Sequence, residues 1–144
     1  MLPRWHILTG LIFSLLIWII FPSVGFYVFL VLFGAVFIDF DHYMCAVWKT
    51  GKISLHDAFI YHKKLLQTER KEYARKIFKK GDFHIFHTIE FHLLVLLLSY
   101  LWIGLFYIFI GMLFHSILDF IELAAERKLY RREFLLLSWI AKKN

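Results

Sequence analysis

The sequence predicts an all-α, polytopic membrane protein with four transmembrane helices. Hydrophobic residues make up 60% of the 144 positions, and the mean hydropathy is +0.65, which is too apolar for an ordinary soluble domain. The apolar residues form two blocks, roughly 5–38 and 83–121, and each is longer than the ~20 residues that one spanning helix needs. The basic residues lie outside these blocks. Together these observations favour two pairs of antiparallel spans.

The first block predicts spans over 5–21 and 24–41. Its only break is the stretch from Phe21 to Gly25, where Pro22 and Gly25 offer a turn. The second block predicts spans over 84–101 and 104–121, since Gly104 beside Tyr100 and Trp102 provides the best break. The rival interpretation, one long tilted helix over 93–118, is disfavoured by the distribution of charge.

All 17 Lys and Arg residues fit a topology with both termini in the cytoplasm. Ten lie in 43–82, six follow residue 121, and the last is Arg4, while the two tight turns carry none. Positively charged loops remain on the cytoplasmic side of a membrane. A three-span chain would place six positive charges on the wrong side. We therefore predict a multi-pass protein of the cytoplasmic (inner) membrane, with 1–144 as a single domain.

The two basic segments have separate predictions. Residues 43–82 form a cytoplasmic, mainly helical insert between spans 2 and 3, with a helix start at Ser54–Asp57 and a stop at Lys79–Asp82. The tail 122–144 is predicted to be an amphipathic C-terminal helix on an anionic membrane surface. The net charge of +6 lies beside apolar spans, so the expected partner is anionic lipid and not nucleic acid. The oligomeric state stays open.

Seven acidic and histidine residues lie where these spans begin or end, and the topology places them all on the cytoplasmic side. Such side chains are costly in or near hydrocarbon and are usually functional there. His6 falls on the same side, and His84 is a further candidate ligand or supporting group. The seven residues are Asp39, Asp41, His42, His87, Glu90, His115 and Asp119.

Their spacing gives each of three helices one acid–histidine pair. Asp39 and His42 are three residues apart, as are His87 and Glu90, and His115 and Asp119 are four apart. Residues at these spacings share a helix face, and metal sites in helical bundles are built from such pairs. Oxygen and imidazole ligands suit Zn²⁺ first, with Mn²⁺ or iron as alternatives. The plainer interpretation, a helix end in water, stays open for Asp41 and His42.

These motifs resemble a family of small prokaryotic integral-membrane proteins described as membrane-bound metal-dependent hydrolases. Asp39-Phe40-Asp41-His42 is similar to the family's Asp-x-Asp-His at a span end, and His115-Ser116-Ile117-Leu118-Asp119 to its His-x-x-x-Asp. His87-Thr88-Ile89-Glu90 stands where the family has a histidine motif, but lacks its commoner His-Arg-Gly-x-Thr-His-Ser form. The resemblance implies a hydrolase.

The converging acids and histidines beside a basic surface lead to one main functional hypothesis. It is a metal-dependent hydrolase that acts on a lipid or lipid-linked phosphoester, with Glu90 as a metal ligand or as the general base. Three alternatives stay open: ion or proton translocation, a haem protein, and a non-enzymatic membrane adaptor. Translocation is disfavoured because the outer halves of the spans offer only Ser14, Ser23 and Ser99 besides aromatic residues.

Overall fold

The computed structural model describes residues 3–143, so Met1, Leu2 and Asn144 of the predicted domain lie outside the described residues. The predicted all-α class is confirmed, because the described chain is helical and contains no strand. Short 3₁₀ turns lie at Pro22–Val24, Ile85–His87 and Leu129–Arg131. The α-helices are α1 (Pro3–Ile20), α2 (Tyr27–Phe37), α3 (Phe40–Thr50), α4 (Leu55–Ala74), α5 (Ile89–Leu98), α6 (Ile103–Ala125) and α7 (Leu136–Lys143).

Two helical segments of the described chain are long and apolar enough to cross a membrane. They are α2 together with α3, which span 24 residues, and α6 with 23 residues. Helix α1 is shorter, and α5 has only ten residues, which extend about 15 Å, half of a bilayer's hydrocarbon core. The predicted third span over 84–101 is therefore not one continuous helix, since Ile85–His87 forms a 3₁₀ turn before it.

The outer surface of the helices is apolar. Large hydrophobic side chains such as Ile19, Phe29 and Leu97 are 71%, 63% and 64% exposed. Soluble monomeric proteins rarely expose contiguous apolar surface on this scale, because its hydration is unfavourable. The surface therefore agrees with the two candidate spans in favouring a membrane protein.

Helices α2 and α6 pack with their backbones in close approach. A Cβ atom on Gly34 would overlap the carbonyl oxygen of Ile108, and one on Gly111 would overlap that of Val31. Small residues permit such approach between membrane helices. Ala35 lies in the same contact, and its carbonyl oxygen accepts a hydrogen bond from His115. The close approach of the two helices therefore determines the position of His115.

We expect the Gly111→Ala substitution to destabilise the protein by about 1–3 kcal/mol, since the added methyl group must displace the backbone of α2. Thermal unfolding in detergent measures the effect. Gly10→Ala is the matched control, because its Cβ would meet only side-chain atoms, of Ala35 at 3.1 Å and of Leu32 at 3.7 Å, and a smaller loss is expected. Equal stability of the Gly111 variant and the wild type would contradict the close α2–α6 approach.

The insert is helical as predicted and starts where its capping sequence indicates. Ser54 precedes the first residue of α4 in an extended conformation. The helix ends at Ala74, before the predicted stop, and Lys76 then adopts a positive φ of 58°. The first part of the predicted insert belongs to α3, which continues α2 beyond residue 41 after a break at Ile38–Asp39.

The predicted single amphipathic helix over 122–144 is wrong. Helix α6 continues to Ala125, the chain then reverses, and the described part of the remaining tail contains the 3₁₀ turn Leu129–Arg131 and α7. The intervening residues find backbone partners in the rest of the protein: Gly81 N–H donates to the Arg131 carbonyl oxygen (2.8 Å), and Ile89 N–H to that of Phe134 (3.0 Å). These long-range bonds compete with helix formation and lead the tail across one end of the helices.

A polar contact joins the insert to the chain that leads into α5. The carboxylate of Asp82 pairs with Lys49 and accepts a hydrogen bond from the Tyr61 hydroxyl at 2.6 Å. Burial favours the neutral acid, but the bonds from Lys49 and Tyr61 outweigh it and hold the pKa of Asp82 below its ordinary value. Burial and the bond to Asp82 raise the pKa of Tyr61 to about 12. This contact fixes the position of the segment that carries His84 and His87.

Candidate metal centre

Eight acidic and histidine residues meet at one end of the helices, and we call them the His–Asp cluster. Seven of them are among the residues selected from the sequence, and His6 is the eighth. Most are buried: the side chains of His87 and His115 are each 1% exposed. The members are His6, Asp39, Asp41, His42, His84, His87, His115 and Asp119, and Glu122 lies at the edge of the cluster with a ligand atom near those of His6 and Asp119.

Four separate segments supply the cluster. His6 lies in α1, and Asp39 occupies the break between α2 and α3, three residues before His42. His84 precedes the 3₁₀ turn before α5 and His87 is the last residue of that turn, whereas His115 and Asp119 lie one turn apart on α6. The two acid–histidine pairs that lie within one helical segment are close together, as their spacing predicts. His42 Nε2 lies 3.6 Å from Asp39 Oδ1, and His115 Nε2 lies 3.8 Å from Asp119 Oδ2.

At the centre of the cluster, four donor atoms form a closed ring in which nitrogen and oxygen alternate. His115 Nε2 is 3.4 Å from Asp39 Oδ1, and His87 Nε2 is 3.9 Å from the same oxygen. The Oδ2 atom of Asp119 is 3.5 Å from His87 Nε2 and 3.8 Å from His115 Nε2. A tetrahedral ion with bonds of about 2.0–2.1 Å requires edges of about 3.3–3.4 Å. Small movements of the side chains would therefore allow this ring to hold Zn²⁺.

The second nitrogen of each ring histidine is already bonded, which fixes the nitrogen that can bind a metal. His115 Nδ1 donates to the Ala35 carbonyl oxygen at 2.7 Å, and His87 Nδ1 donates to Asp41 Oδ2 at 3.1 Å. Metal-ligating histidines characteristically donate their other N–H in this way. Within residues 3–143, both Nε2 atoms are buried without a hydrogen-bond partner. Buried polar atoms are normally satisfied, so an ion that they bind would account for both.

A second group of donors lies beside the ring. It is linked to the ring through Asp41, which accepts a hydrogen bond from His87. Ligand atoms of Asp41, His42 and His84 lie within 4.8 Å of one another. The rings of His42 and His84 are 3.7 Å apart, and His84 Nδ1 faces Asp41 Oδ1 at 3.6 Å. Asp41 Oδ2 also accepts the backbone N–H of Phe86 at 2.9 Å, which orients the carboxylate. This group could hold a second ion.

Two residues of the site were not selected as ligands or supporting groups from the sequence. His6 stacks on His115 with ring centroids 4.1 Å apart, and its Nε2 atom lies 3.3 Å from Asp119 Oδ1. The sequence signal for His6 is its place at the start of the first predicted span, on the side where the other acidic and histidine residues are predicted to lie. Arg132 donates to Asp119 Oδ2 at 2.8 Å. Only the return of the tail brings Arg132 there, and no local pattern indicates that contact.

Glu90 is the predicted site residue that the structure does not bring into the cluster. Its two carboxylate oxygens accept the backbone N–H groups of Leu136 and Leu137, at 2.9 and 3.1 Å. The expected His87–Glu90 pair does not form, because α5 begins only after Thr88, whose hydroxyl accepts the Phe91 N–H as an N-cap. The rule for residues three apart holds within a helix and not across its start. Glu90 therefore caps α7 and joins it to α5.

We expect the Glu90→Gln substitution to leave the metal content unchanged and to lower the unfolding temperature slightly, through loss of a charged cap at α7. Elemental analysis and thermal unfolding of the same preparation measure both effects. Glu126→Gln is the control, because Glu126 is an exposed acid near the end of α6. Loss of metal from a folded Glu90→Gln protein would return Glu90 to the list of ligands.

The chain matches no family model, no curated protein and no solved structure. The resemblance to membrane-bound metal-dependent hydrolases consequently stays a prediction that rests on the motifs themselves.

Proposed function

We propose that this protein is a metal-dependent hydrolase of the cytoplasmic membrane, with both termini in the cytoplasm, that acts on a lipid or lipid-linked phosphoester. In this proposal α1, α2, α5 and α6 are the four membrane segments, and the basic insert and tail face anionic lipid headgroups. The proposed metal site is the ring formed by Asp39, His87, His115 and Asp119. The observation that favours a metal there is that, among the described residues, the two buried Nε2 atoms of the ring have no hydrogen-bond partner.

The donor set favours Zn²⁺, with Mn²⁺ or iron as alternatives, because imidazole and carboxylate suit these ions and no thiolate contributes. The only cysteine in the sequence, Cys45, instead contacts Asp82, at 3.5 Å. A divalent ion held by all four ring donors would bind water only as a fifth ligand, and in that form it would lower the pKa of the water and offset negative charge on a phosphoryl group. One ion would occupy the ring, and a second would occupy the Asp41, His42 and His84 group.

The chain's own residues have separate roles in this proposal. Asp41 orients His87 through its Nδ1 atom, and the Ala35 carbonyl oxygen orients His115. When the Asp41, His42 and His84 group holds no second ion, His42 and His84 are the side chains placed to accept the proton that hydrolysis releases from water, since Glu90 is committed to capping α7. Arg132, beside Asp119, supplies positive charge at the edge of the ring.

Hydrolysis is tested with metal-loaded protein in nanodiscs, by following phosphate release from a panel of lipid phosphoesters. We expect Asp39→Asn to lower kcat/KM about a thousandfold, since the metal's contribution is several kcal/mol and each 1.4 kcal/mol is tenfold. His56→Ala, an exposed histidine of the insert, is the control with full activity. Metal binding without hydrolysis of any phosphoester would leave a metal-binding membrane protein. Absence of metal from folded protein would favour a membrane adaptor.

A further inference from the structure

An apolar groove runs between α5 and α6 and ends at the His–Asp cluster. Its cavity measures about 360 Å³, within the range of small-molecule sites. The apolar walls include Leu93, Leu113, Ile117 and Phe120, which are 40–56% exposed. The groove is therefore open along the surface that faces lipid in the proposed function. Its apolar lining favours a hydrocarbon ligand over a soluble metabolite.

The dimensions of the groove match one chain in one leaflet. Its lining on α6 extends from Phe109 to Phe120, and at 1.5 Å per residue this length is about 16 Å, roughly half of the 30 Å hydrocarbon core. Such a groove accommodates a single extended hydrocarbon chain.

The polar groups within the apolar wall satisfy each other. His92 Nδ1 donates to the Thr88 carbonyl oxygen at 2.9 Å, which leaves its Nε2 atom to accept the Ser116 hydroxyl at 3.0 Å. These bonds join α5 to α6 and meet the polar groups' hydrogen-bonding needs in an apolar setting. The other end of the groove carries charged and titratable side chains, because His87, Asp119 and Arg132 line it.

Arg132 is suited to bind a phosphate at this end. One of its N–H groups donates to Asp119, and its side chain keeps 14% of its surface exposed. A guanidinium has five N–H donors and binds phosphate oxygens in a two-pronged geometry. The backbone of Arg132 is held by Lys80, whose side-chain Nζ atom donates to the carbonyl oxygen of Arg132 at 3.2 Å. This contact also brings a second cation near.

We propose that the α5–α6 groove binds the hydrocarbon chain of a lipid phosphate ester and that Arg132 binds its phosphate beside the metal ring. This inference rests on the proposed function and deepens it by naming the part of the lipid that each surface recognises. The chain lies along α6 in the cytoplasmic leaflet, and the phosphate lies at the level of Asp119.

The test measures equilibrium binding of radiolabelled hexadecyl phosphate to the full-length protein in phosphatidylcholine nanodiscs. We expect Ile117→Trp, which fills the groove, to weaken binding at least tenfold. Leu97→Trp is the matched control, since Leu97 is exposed on α5 and does not line the groove. Arg132→Gln should weaken binding of hexadecyl phosphate by a similar factor, leave binding of hexadecanol unchanged, and be partly rescued by Arg132→Lys. Inorganic phosphate should not displace the probe.

Each result decides one part of the proposal. Wild-type affinity in Ile117→Trp would show that the chain lies elsewhere, and wild-type affinity in Arg132→Gln would remove that residue as the phosphate ligand. Displacement by inorganic phosphate would indicate a site for free phosphate and overturn the lipid assignment. Metal content, gel filtration and phosphoester hydrolysis are measured on the same variants. Groove-dependent binding without hydrolysis would sink the hydrolase proposal alone, whereas hydrolysis of long-chain phosphoesters insensitive to Ile117→Trp would sink the groove alone.

Discussion

Replacement of His115 or Asp119 with alanine is expected to lower the bound metal of the purified protein at least tenfold. Each substitution removes one of the four donors of the central ring, in which His115 Nε2 lies 3.4 Å from Asp39 Oδ1. Even supporting residues around metal sites typically contribute 10–100-fold in affinity, so the loss of a ligand has at least that effect. Elemental analysis of detergent-purified protein for zinc, manganese and iron measures the occupancy.

His92→Ala is the matched control for these two variants. His92 is also a buried histidine near the cluster, but its two ring nitrogens are bonded to Thr88 and Ser116. It should retain the wild-type metal content, which separates loss of a ligand from general disruption of the fold. A folded wild type without metal after reconstitution, or equal occupancy in the His115 and wild-type proteins, would contradict the proposed centre.

The Arg131→Ala substitution is expected to destabilise the protein by about 3 kcal/mol, which corresponds to a decrease in Tm of roughly 10 °C. The Arg131 side chain is only 9% exposed and pairs with Glu69 at 3.1 Å and Glu72 at 3.3 Å. Its removal takes the Arg131 cation from both carboxylates of α4, and Glu72 then keeps only its longer contact with the exposed Lys79, at 3.6 Å. Because Arg131 joins the tail to the insert, the contact between Arg132 and Asp119 should also loosen. Thermal unfolding measures the first effect, and limited proteolysis of the tail measures the second.

Arg70→Ala provides the control on the same helix, since Arg70 is an exposed residue of α4. Substitutions of exposed residues usually change stability by about 0.5 kcal/mol or less. If the Arg131 variant unfolded at the wild-type temperature and its tail resisted protease equally, the tail would be held by other contacts. The role of Arg131 as the link between tail and insert would then be wrong.

Where the sequence predicted correctly, the signal was local and periodic. Long continuous apolar blocks predict helices, since a helix satisfies its backbone hydrogen bonds within a single segment, and the helical fold agrees. Spacings of three and four residues place Asp39 near His42 and His115 near Asp119 within single turns. The order of the helical segments along the chain also brings His87 to the end of the helices where these two pairs lie. These relations depend on the chain's own geometry, which tertiary packing leaves unchanged.

Other features were decided only by the tertiary structure. Glu90 lies three residues after His87, but the start of α5 at Thr88 turns its carboxylate toward α7. His6 reaches Asp119, and Arg132 approaches the same carboxylate because the tail reverses after α6. Such contacts join residues far apart in the chain, so they depend on how whole helices pack. A sequence specifies its helices through short-range periodicity, whereas the partners at helix ends are chosen by long-range hydrogen bonds and burial.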